Sequence, residues 1–304
     1  MSTDTNRESV MAEVTIAFQG EPGAYSELAA LQYYGSEVNT LPCHTFYEVF
    51  QVVEEGLADQ GLLPIENSLA GSIHRNYDLL LEHGLQIVGE YYLRVRHCLM
   101  ARPGAALEDI QQVHSHPQAL AQCQKNLKQR GLEPVAAADT AGSARLISEN
   151  EDLGSAALAS RRAAEDYNLQ ILVEGMEDNP ANFTRFRALT AKKSAPDLLE
   201  PDREYKTSLV FSLPHQPGSL HRALQVFARR AIDLTKIESR PIQGKPWEYM
   251  FYIDFAEYKD TPQGSRALEA LTLVASQVRI LGSYPRDHQD ADPELEGNPG
   301  ARSS

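Results

Sequence analysis

A hydroxyl, a permanent cation and aromatic rings follow one another in the stretch Asn182-Phe183-Thr184-Arg185-Phe186. Successive side chains of a β-strand point to opposite faces. We therefore expect Thr184 and Phe186 to share one face and Arg185 to point away, unless a kink turns it inward. These residue types suit a site for a small anionic ligand. The alternative interpretation is an ordinary amphipathic strand with one solvated arginine.

A second polar group comes directly after an apolar run. Glu66, Asn67 and Ser68 follow Leu62-Leu63-Pro64-Ile65, which is predicted to be a buried strand. A carboxylate next to such a strand needs a partner, because an unpaired buried charge is costly. These residues are therefore candidates for a site, although Asn67 could equally serve as a cap.

Four further polar residues stand where predicted strands turn into helices, namely Ser115, Gln118, Thr140 and Ser143. A helix start carries unpaired N–H groups and a partial positive charge, so it can bind carboxylates. Several helix starts that face one cleft would suit a small ligand with more than one carboxylate. The alternative for Ser115, Thr140 and Ser143 is plain helix capping.

The elements that must position these residues alternate between strands and short helices over residues 13–191. Thr45, for example, is predicted to cap a helix that carries Phe46, Val49, Phe50 and Val53 at helical spacing. This alternation indicates βαβ units and a mainly parallel sheet. The length of the segment favours two α/β lobes with a cleft between them, as in periplasmic binding proteins.

A different pattern begins at residue 205 and ends near residue 286. Its order, βαββαβ, is that of a ferredoxin-like domain. Residues 192–204 are polar and proline-containing, which predicts a linker. Residues 1–12 and 287–304 are predicted to be a disordered leader and tail.

The bulk composition excludes several classes of partner. A formal net charge of −14 over 304 residues argues against nucleic acid or an anionic membrane. The N-terminus lacks an apolar signal segment, and no run of 18 apolar residues predicts a membrane span. Three cysteines far apart in sequence, Cys43, Cys98 and Cys123, suggest reduced thiols in a cytoplasmic protein.

Cofactor motifs are also missing from the sequence. His114 and His116 have no third ligand nearby, so no metal site is predicted. The turn Gly20-Glu21-Pro22-Gly23 is too short and too proline-interrupted for a dinucleotide fingerprint, and no phosphate-binding GxxxxGK[ST] loop follows. We expect no cofactor.

Five motifs in series resemble those of prephenate dehydratases with a C-terminal ACT domain, over residues 14–284. They are Pro64-Ile65-Glu66-Asn67-Ser68, Ser115-His116-Pro117-Gln118-Ala119-Leu120, Thr184-Arg185-Phe186, Pro217-Gly218-Ser219-Leu220 and Glu238-Ser239-Arg240-Pro241. Ser219 departs slightly, because many members carry alanine there. Residues 68–77 resemble the branch that includes plant arogenate dehydratases.

This resemblance implies a cofactor-free reaction, the decarboxylation of prephenate with loss of its ring hydroxyl to give phenylpyruvate. Thr184 is expected to donate a hydrogen bond to the departing hydroxyl, with Glu66 or a water as the proton source. Arg185 is expected to bind a substrate carboxylate. The residues expected to orient or enclose the substrate are Asn67, Ser68, Ser115, Gln118, Thr140, Phe183 and Phe186.

The resemblance also implies feedback control by phenylalanine. Gly218, Ser219 and Leu220 at a helix start would bind the effector's carboxylate, with Glu238, Ser239 and Arg240 beside them across an interface between two ACT domains. Paired ACT sheets imply a homodimer or a tetramer. The alternative for the second motif is a strand end with a solvated ion pair.

Three other functions are left open by the sequence. Arogenate dehydratase differs from the main interpretation only in the substrate's side chain, which carries an amino group in place of the keto oxygen. Two interpretations involve no catalysis: a solute-binding protein and a cytoplasmic amino-acid sensor. Formation of phenylpyruvate from prephenate would distinguish the enzyme from both.

Overall fold

The computed structural model describes residues 14–191, 200, 203–242, 244–245 and 247–287. The predicted leader (1–12), most of the predicted linker (192–204) and nearly all of the predicted tail (287–304) lie outside these residues. The described chain forms two α/β lobes followed by a four-stranded antiparallel sheet with two helices, which is the predicted fold class. Within the described ranges, no helix is long and apolar enough to cross a membrane.

The two lobes are built from one continuous run of elements. In chain order these are β1 (Thr15–Gln19), α1 (Tyr25–Tyr34), β2 (Asn39–Cys43), α2 (Phe46–Glu54), β3 (Gln60–Asn67), β4 (Gly71–Ser72), α3 (His74–Glu82), β5 (Gln86–Arg94), β6 (Cys98–Ala101), a 3-10 turn (Leu107–Asp109), β7 (Gln112–Ser115), α4 (Pro117–Gln122), α5 (Gln124–Gln129), β8 (Glu133–Ala136), α6 (Thr140–Glu149), β9 (Ser155–Ala159), α7 (Arg161–Asp166), β10 (Gln170–Val173) and β11 (Phe183–Thr190).

The C-terminal domain has the predicted order of a ferredoxin-like unit. Its elements are β12 (Tyr205–Ser212), α8 (Ser219–Ala228), β13 (Leu234–Pro241), β14 (Tyr249–Phe255), α9 (Pro262–Thr272) and β15 (Gln277–Pro285).

Local chemistry explains where several helices begin. The Thr45 hydroxyl accepts a hydrogen bond from a backbone N–H of α2 at 3.1 Å, as predicted. Asp139 and Ser160 cap α6 and α7 in the same way. Proline at the first position of α4 and α9 forfeits no hydrogen bond, because an N–H there would have no partner within the helix. The helical segment after residue 117 is divided into two short helices that meet at Cys123.

The sheets are mixed, which corrects the prediction of a mainly parallel sheet. The first lobe has the strand order β2-β1-β3-β11-β5, with β4 paired to β3, and the second lobe has the order β10-β6-β9-β7-β8. The chain leaves the first lobe after β5 and returns as β11, which therefore runs antiparallel to both β3 and β5. β11 carries the predicted site residues into the middle of the first sheet.

Strand β5 is absent from the sequence-based prediction, because glycine and a charged residue interrupt its apolar pattern. Both interruptions have a structural reason. A Cβ atom on Gly89 would lie 1.9 Å from the hydroxyl oxygen of Tyr33 on α1. Glu90 is buried and forms ion pairs with Arg187 on β11 and with Lys206 on β12 of the C-terminal domain.

The C-terminal domain packs on the first lobe. One face of its sheet lies against α8 and α9. From the other face, Tyr252, Leu281 and Tyr284 enter the apolar core of the first lobe. At the contact between β15 and β5, a Cβ atom on Gly282 would lie 2.0 Å from the carbonyl oxygen of Ile87. Only glycine fits there without displacing one strand.

Candidate active site

A cavity of about 260 Å³ lies between the two lobes and brings five of the predicted site residues together. The first lobe contributes Asn67 at the end of β3, and Thr184 and Phe186 on β11. The second lobe contributes Gln118 on α4 and Thr140 at the start of α6. Residues from distant parts of the chain therefore share one cleft through the two chain crossings.

The hydroxyl of Thr184 is oriented by Asn67. The carboxamide oxygen of Asn67 accepts hydrogen bonds from the backbone N–H groups of Leu69 (3.0 Å) and Ala70 (2.9 Å). This fixes the amide so that its Nδ2 donates to Thr184 Oγ1 at 3.0 Å. Because Oγ1 accepts this bond, the hydroxyl proton of Thr184 is left to be donated to a group in the cleft.

A second set of hydrogen bonds joins Tyr25, His97 and Gln122, which also line the cleft. His97 is 2% exposed, and its Nδ1 lies 2.7 Å from the hydroxyl of Tyr25. Its Nε2 lies 2.9 Å from Gln122 Oε1. Burial lowers the pKa of His97 below its ordinary value, which favours the neutral imidazole. Burial also raises the pKa of Tyr25, which therefore keeps its proton.

On the second lobe, two of the predicted residues have different surroundings. Gln118 follows His116, whose Nδ1 accepts the Gln118 backbone N–H at 3.2 Å, so the Gln118 side chain remains available to the cleft. Ser115 is fully buried, and its hydroxyl donates to the carbonyl of Leu158 at 2.6 Å. Ser115 ties β7 to β9 and does not line the cleft.

Ser68 and Phe183 also lie outside the cleft. The hydroxyl of Ser68 donates to the Ala181 carbonyl and accepts the Phe183 N–H, both at 2.9 Å. These bonds fasten the end of β3 to the start of β11. Phe183 lines a second cavity of about 450 Å³ together with Tyr91 and Arg161.

Arg185 and Glu66 lie on the opposite side of the sheet, and this corrects the expectation for both. Arg185 Nη2 is 3.1 Å from Glu66 Oε2 and 3.3 Å from Asp254 Oδ2 of the C-terminal domain. Lys236 of that domain lies 3.0 Å from Glu66. Strand alternation turns Arg185 away from Thr184, so this arrangement supports neither a substrate clamp at Arg185 nor a proton donor at Glu66.

The predicted effector residues fall into two groups. At the start of α8, Gly218 has a φ of 80°, and the Ser219 hydroxyl accepts a bond from Arg222 at 3.0 Å. Leu220 is half-buried and Ser239 is exposed. The effector roles of these residues stay predictions.

Glu238 and Arg240 instead contact the first lobe within the same chain. Glu238 accepts a hydrogen bond from the hydroxyl of Ser72 at 2.6 Å. Arg240 forms an ion pair with Asp78 at 2.9 Å. Both side chains connect the two domains, a placement that motif resemblance did not suggest.

Four residues at or next to the cleft were not among the predicted site residues, namely Tyr25, His97, Gln122 and Asn182. One signal was available, since Gln118 and Gln122 are four residues apart on one helix face. Asn182 directly precedes Phe183-Thr184-Arg185-Phe186, but nothing in the sequence shows which groups its amide hydrogen-bonds to. Among the described residues, no group of three or more His, Cys, Asp or Glu side chains is placed to hold a metal ion.

Comparison with known proteins agrees with the motifs. The family model described as prephenate dehydratase matches residues 16–194, and the ACT domain model matches residues 207–272. Arogenate dehydratase/prephenate dehydratase 1, chloroplastic, of Arabidopsis thaliana is 47% identical over 290 residues, covering 91% of this chain and 73% of that protein.

Two solved structures share the fold over 90% of this chain. One is the prephenate dehydratase of Arthrobacter aurescens in complex with L-Phe, with 32% identity, 90% of that chain covered and a TM-score of 0.82. The other is GqqA, described as a novel type of quorum-quenching acylase, with 40% identity, 98% of that chain covered and a TM-score of 0.83.

These findings confirm the predicted enzyme class, a hydro-lyase of the prephenate dehydratase type with an ACT domain. They contradict the prediction of a cytoplasmic protein, because the Arabidopsis relative is named as chloroplastic. Cysteine usage indicates only a reducing environment, which is not unique to the cytoplasm. With a family model that covers residues 16–194 and a relative at 47% identity, this chain belongs to the prephenate dehydratase family.

Proposed function

We propose that this chain converts prephenate into phenylpyruvate in phenylalanine biosynthesis by decarboxylation and loss of the ring hydroxyl. The observation that carries the proposal is the hydrogen bond from Asn67 to Thr184 Oγ1, which leaves the Thr184 proton for the substrate. The driving force lies in the substrate, since its ring becomes aromatic. The enzyme must therefore hold two carboxylates and assist the departure of hydroxide.

In this mechanism Thr184 is a hydrogen-bond donor and stays un-ionised throughout. It donates to the ring hydroxyl as the C–O bond breaks, while the C–C bond to the ring carboxylate breaks and CO2 leaves. General-acid assistance of this kind contributes on the order of 10²–10⁴-fold in rate. Since Glu66 faces the other side of the sheet, we assign the proton that completes the leaving water to solvent in the cleft.

Donors for the substrate carboxylates lie on the second lobe. The side-chain amide of Gln118 and the hydroxyl of Thr140 line the second-lobe wall, and α6 begins at Thr140. The Asp139 carboxylate already accepts the Gly142 N–H at that helix start and also lines the cleft, so we assign the substrate carboxylates to the side chains of Gln118 and Thr140. Phe186 is 1% exposed and forms an apolar part of the wall near Thr184, where the ring of the substrate would lie.

Arogenate is the alternative substrate, since the Arabidopsis relative carries both activities in its name. Arogenate and prephenate differ only at the side-chain amino or keto group, so the Thr184 chemistry is the same for both. Turnover of purified protein on each substrate decides between them, with phenylpyruvate measured by absorbance and phenylalanine by chromatography. We expect the larger kcat/KM with prephenate. Turnover of neither substrate would refute the proposed function.

Acyl-group removal is a second activity, named for the GqqA relative. An acylase nucleophile needs a base that accepts its proton. The hydrogen bond recorded at Thr184 Oγ1 comes instead from an amide that donates. We therefore favour the lyase, and release of free amine from an acylated amine, assayed on the same preparation, tests the other activity.

Regulation and assembly complete the proposal. We propose a catalytic unit of residues 13–191, and an ACT unit of residues 205–286 that binds phenylalanine near Gly218 and lowers activity. We also propose that two ACT sheets pair in a homodimer or tetramer. Support comes from β13, a sheet edge whose Ile237 is 48% exposed. Mass measurement in solution with and without phenylalanine tests the assembly.

A further inference from the structure

Asn182 is the most deeply buried polar residue near the cleft that the proposed mechanism leaves without a role. It is 0% exposed and does not line the cavity, so it does not touch a substrate there. It immediately precedes β11, where the chain returns from the second lobe to the first. Its backbone carbonyl accepts the Val95 N–H at 2.7 Å, which joins the two crossing segments.

The side chain of Asn182 makes one hydrogen bond to each lobe. Its Oδ1 accepts from Asn67 Nδ2 at 2.9 Å in the first lobe. Its Nδ2 donates to Gln122 Oε1 at 3.0 Å in the second lobe. A buried amide that uses its oxygen on one side and its nitrogen on the other has only one satisfactory orientation.

That orientation is set at Asn67, whose Oδ1 accepts two backbone N–H groups, so that only its Nδ2 is left to face Asn182. Gln122 Oε1 is also the partner of His97 Nε2 at 2.9 Å, so Nε2 must carry the ring proton of the neutral imidazole. His97 Nδ1 is then an acceptor, and the single proton of the Tyr25 hydroxyl has two acceptors within reach, His97 Nδ1 at 2.7 Å and the Arg96 carbonyl oxygen at 3.0 Å. Gln122 thus receives two donors, and its oxygen is held toward Asn182.

At the other end, the orientation of Asn182 limits what Asn67 can do. One N–H of the Asn67 amide is directed to Asn182 Oδ1. The other N–H is left for the first-lobe side, where Thr184 Oγ1 lies at 3.0 Å and the Phe183 carbonyl at 3.2 Å. Without Asn182, one buried N–H of the Asn67 amide loses its acceptor, although the Leu69 and Ala70 N–H groups still hold the amide oxygen.

We propose that Asn182 is a positioning residue for the dehydratase reaction. Through Asn67 it helps to hold the Thr184 hydroxyl in the direction in which its proton is donated, and through Gln122 it couples that direction to the position of the second lobe. The inference rests on the proposed role of Thr184. Separation of the lobes would break the Asn182–Gln122 bond and loosen the donor at Thr184. The chemical step is thereby favoured only when the two lobes are closed on each other.

A double-mutant cycle tests this role. We expect Asn182→Ala to lower kcat for prephenate about tenfold with KM within about twofold, since one neutral hydrogen bond is lost away from the substrate. In the Thr184→Ala background, the same substitution should change kcat by less than about twofold. Equal fold-losses in the two backgrounds, or no loss in the wild type, would overturn the inference.

Companion variants separate positioning from plain stability. Asn182→Asp keeps an oxygen acceptor for Asn67 but turns a second oxygen toward Gln122 Oε1, and Asn182→Leu keeps the volume without either bond, so both should lower kcat at least as much as Asn182→Ala. Asn182→Leu replaces the alanine variant in the cycle if that variant does not fold. An Asn182→Leu or Asn182→Asp variant with wild-type kcat would also overturn the inference.

Asn126 provides a matched control, because its amide donates to Asp178 at 3.2 Å and does not line the cleft. Asn126→Ala should lower the urea midpoint of unfolding. Any effect of this substitution on kcat should be the same in the wild type and in the Thr184→Ala background. The two proposals also fail differently. A Thr184→Ala variant with wild-type kcat contradicts the proposed function, whereas a slow Thr184→Ala variant with independent Asn182 effects contradicts only this inference.

Discussion

The two faces of strand β11 use opposite kinds of polar chemistry. On the cleft face, Thr184 is held by a neutral amide at 3.0 Å. On the other face, Arg185 and Arg187 are 6% and 3% exposed and lie among the carboxylates of Glu66, Glu90 and Asp254. Alternation along the strand is enough to keep the two environments apart, although they are one residue away from each other.

The difference separates catalysis from assembly. The neutral hydrogen bond from Asn67 orients the Thr184 hydroxyl without adding a charge beside it. Buried ion pairs stabilise little relative to apolar packing, but removal of one member leaves an unpaired charge. The charged face connects the ACT domain to the first lobe through ion pairs, while the cleft face carries the residues of the proposed reaction.

The largest effect is expected at Thr184. Thr184→Ala should lower kcat on the order of 10²–10⁴-fold with a small change in KM, because a donor that assists the leaving group is lost. Steady-state rates of phenylpyruvate formation measure it. Thr190→Val is the matched control, since the Thr190 hydroxyl donates to the Asp59 carbonyl at 3.0 Å, outside the cleft. A rate within threefold of wild type for Thr184→Ala would contradict the proposed role of the cleft face of β11 in the reaction.

On the charged face, Asp254→Asn should destabilise the fold by about 3–5 kcal/mol, because Arg185 and Arg187 stay buried after losing their shared carboxylate. Urea unfolding measures the change. The exposed pair Arg145–Glu149 provides the control, and Glu149→Gln should leave the free energy of unfolding nearly unchanged. An equally small change for Asp254→Asn would show that the charged face does not hold the domains together.

The carboxylate of Asp254 should also make the free energy of unfolding depend on pH in acid. Burial tends to raise the pKa of Asp254, but the Arg187 and Arg185 guanidinium groups hold it below the ordinary value. A folded pKa below the unfolded one means that the stabilisation is complete above the unfolded value, about 3.9, and is lost as the pH falls through the lower folded value. The loss of stability with acid should therefore be smaller in Asp254→Asn than in wild type.

An intermediate effect is expected where the ACT domain meets β5. Gly282→Ala should cost about 1–3 kcal/mol, because the new Cβ atom would lie 2.0 Å from the Ile87 carbonyl oxygen. Gly84→Ala is the control, with its nearest atom, Glu54 Oε1, at 3.7 Å. Thermal unfolding compares the two. Equal melting temperatures would mean that β15 and β5 can separate freely.

The smallest effect is expected at Arg240, and it decides what this residue does. Arg240 pairs with Asp78 of the first lobe, and both side chains are about one-quarter exposed, 24% and 26%. Arg240→Gln and Asp78→Asn should each shift the phenylalanine concentration for half-inhibition by less than about fivefold, and in the same direction, if the pair acts only between domains. A large shift for Arg240→Gln alone would support direct effector binding instead.

Local patterns predicted much of the fold. Helical spacing after Thr45 and the βαββαβ order after residue 204 both correspond to elements of the structure. Strand β5 was missed because its departures from an apolar pattern, Gly89 and Glu90, are explained only by partners elsewhere, Tyr33 on α1 and the cations at Arg187 and Lys206. The mixed sheet was missed because strand direction depends on the chain's return from the second lobe.

The site divides in the same way. Residue type and motif order were enough to predict the family, which the comparisons show. They also predicted the chemistry at Thr184 and roles for Asn67, Gln118 and Thr140, and the structure brings these four residues to one cleft. Which face Arg185 meets, which amide orients Thr184, and that Asn182 bridges the lobes were decided by tertiary structure alone. The reason is physical: the direction of a hydrogen bond and the partner of a buried charge depend on groups that lie far apart in sequence, 60 residues for Asn182 and Gln122 and 117 for Asn67 and Thr184.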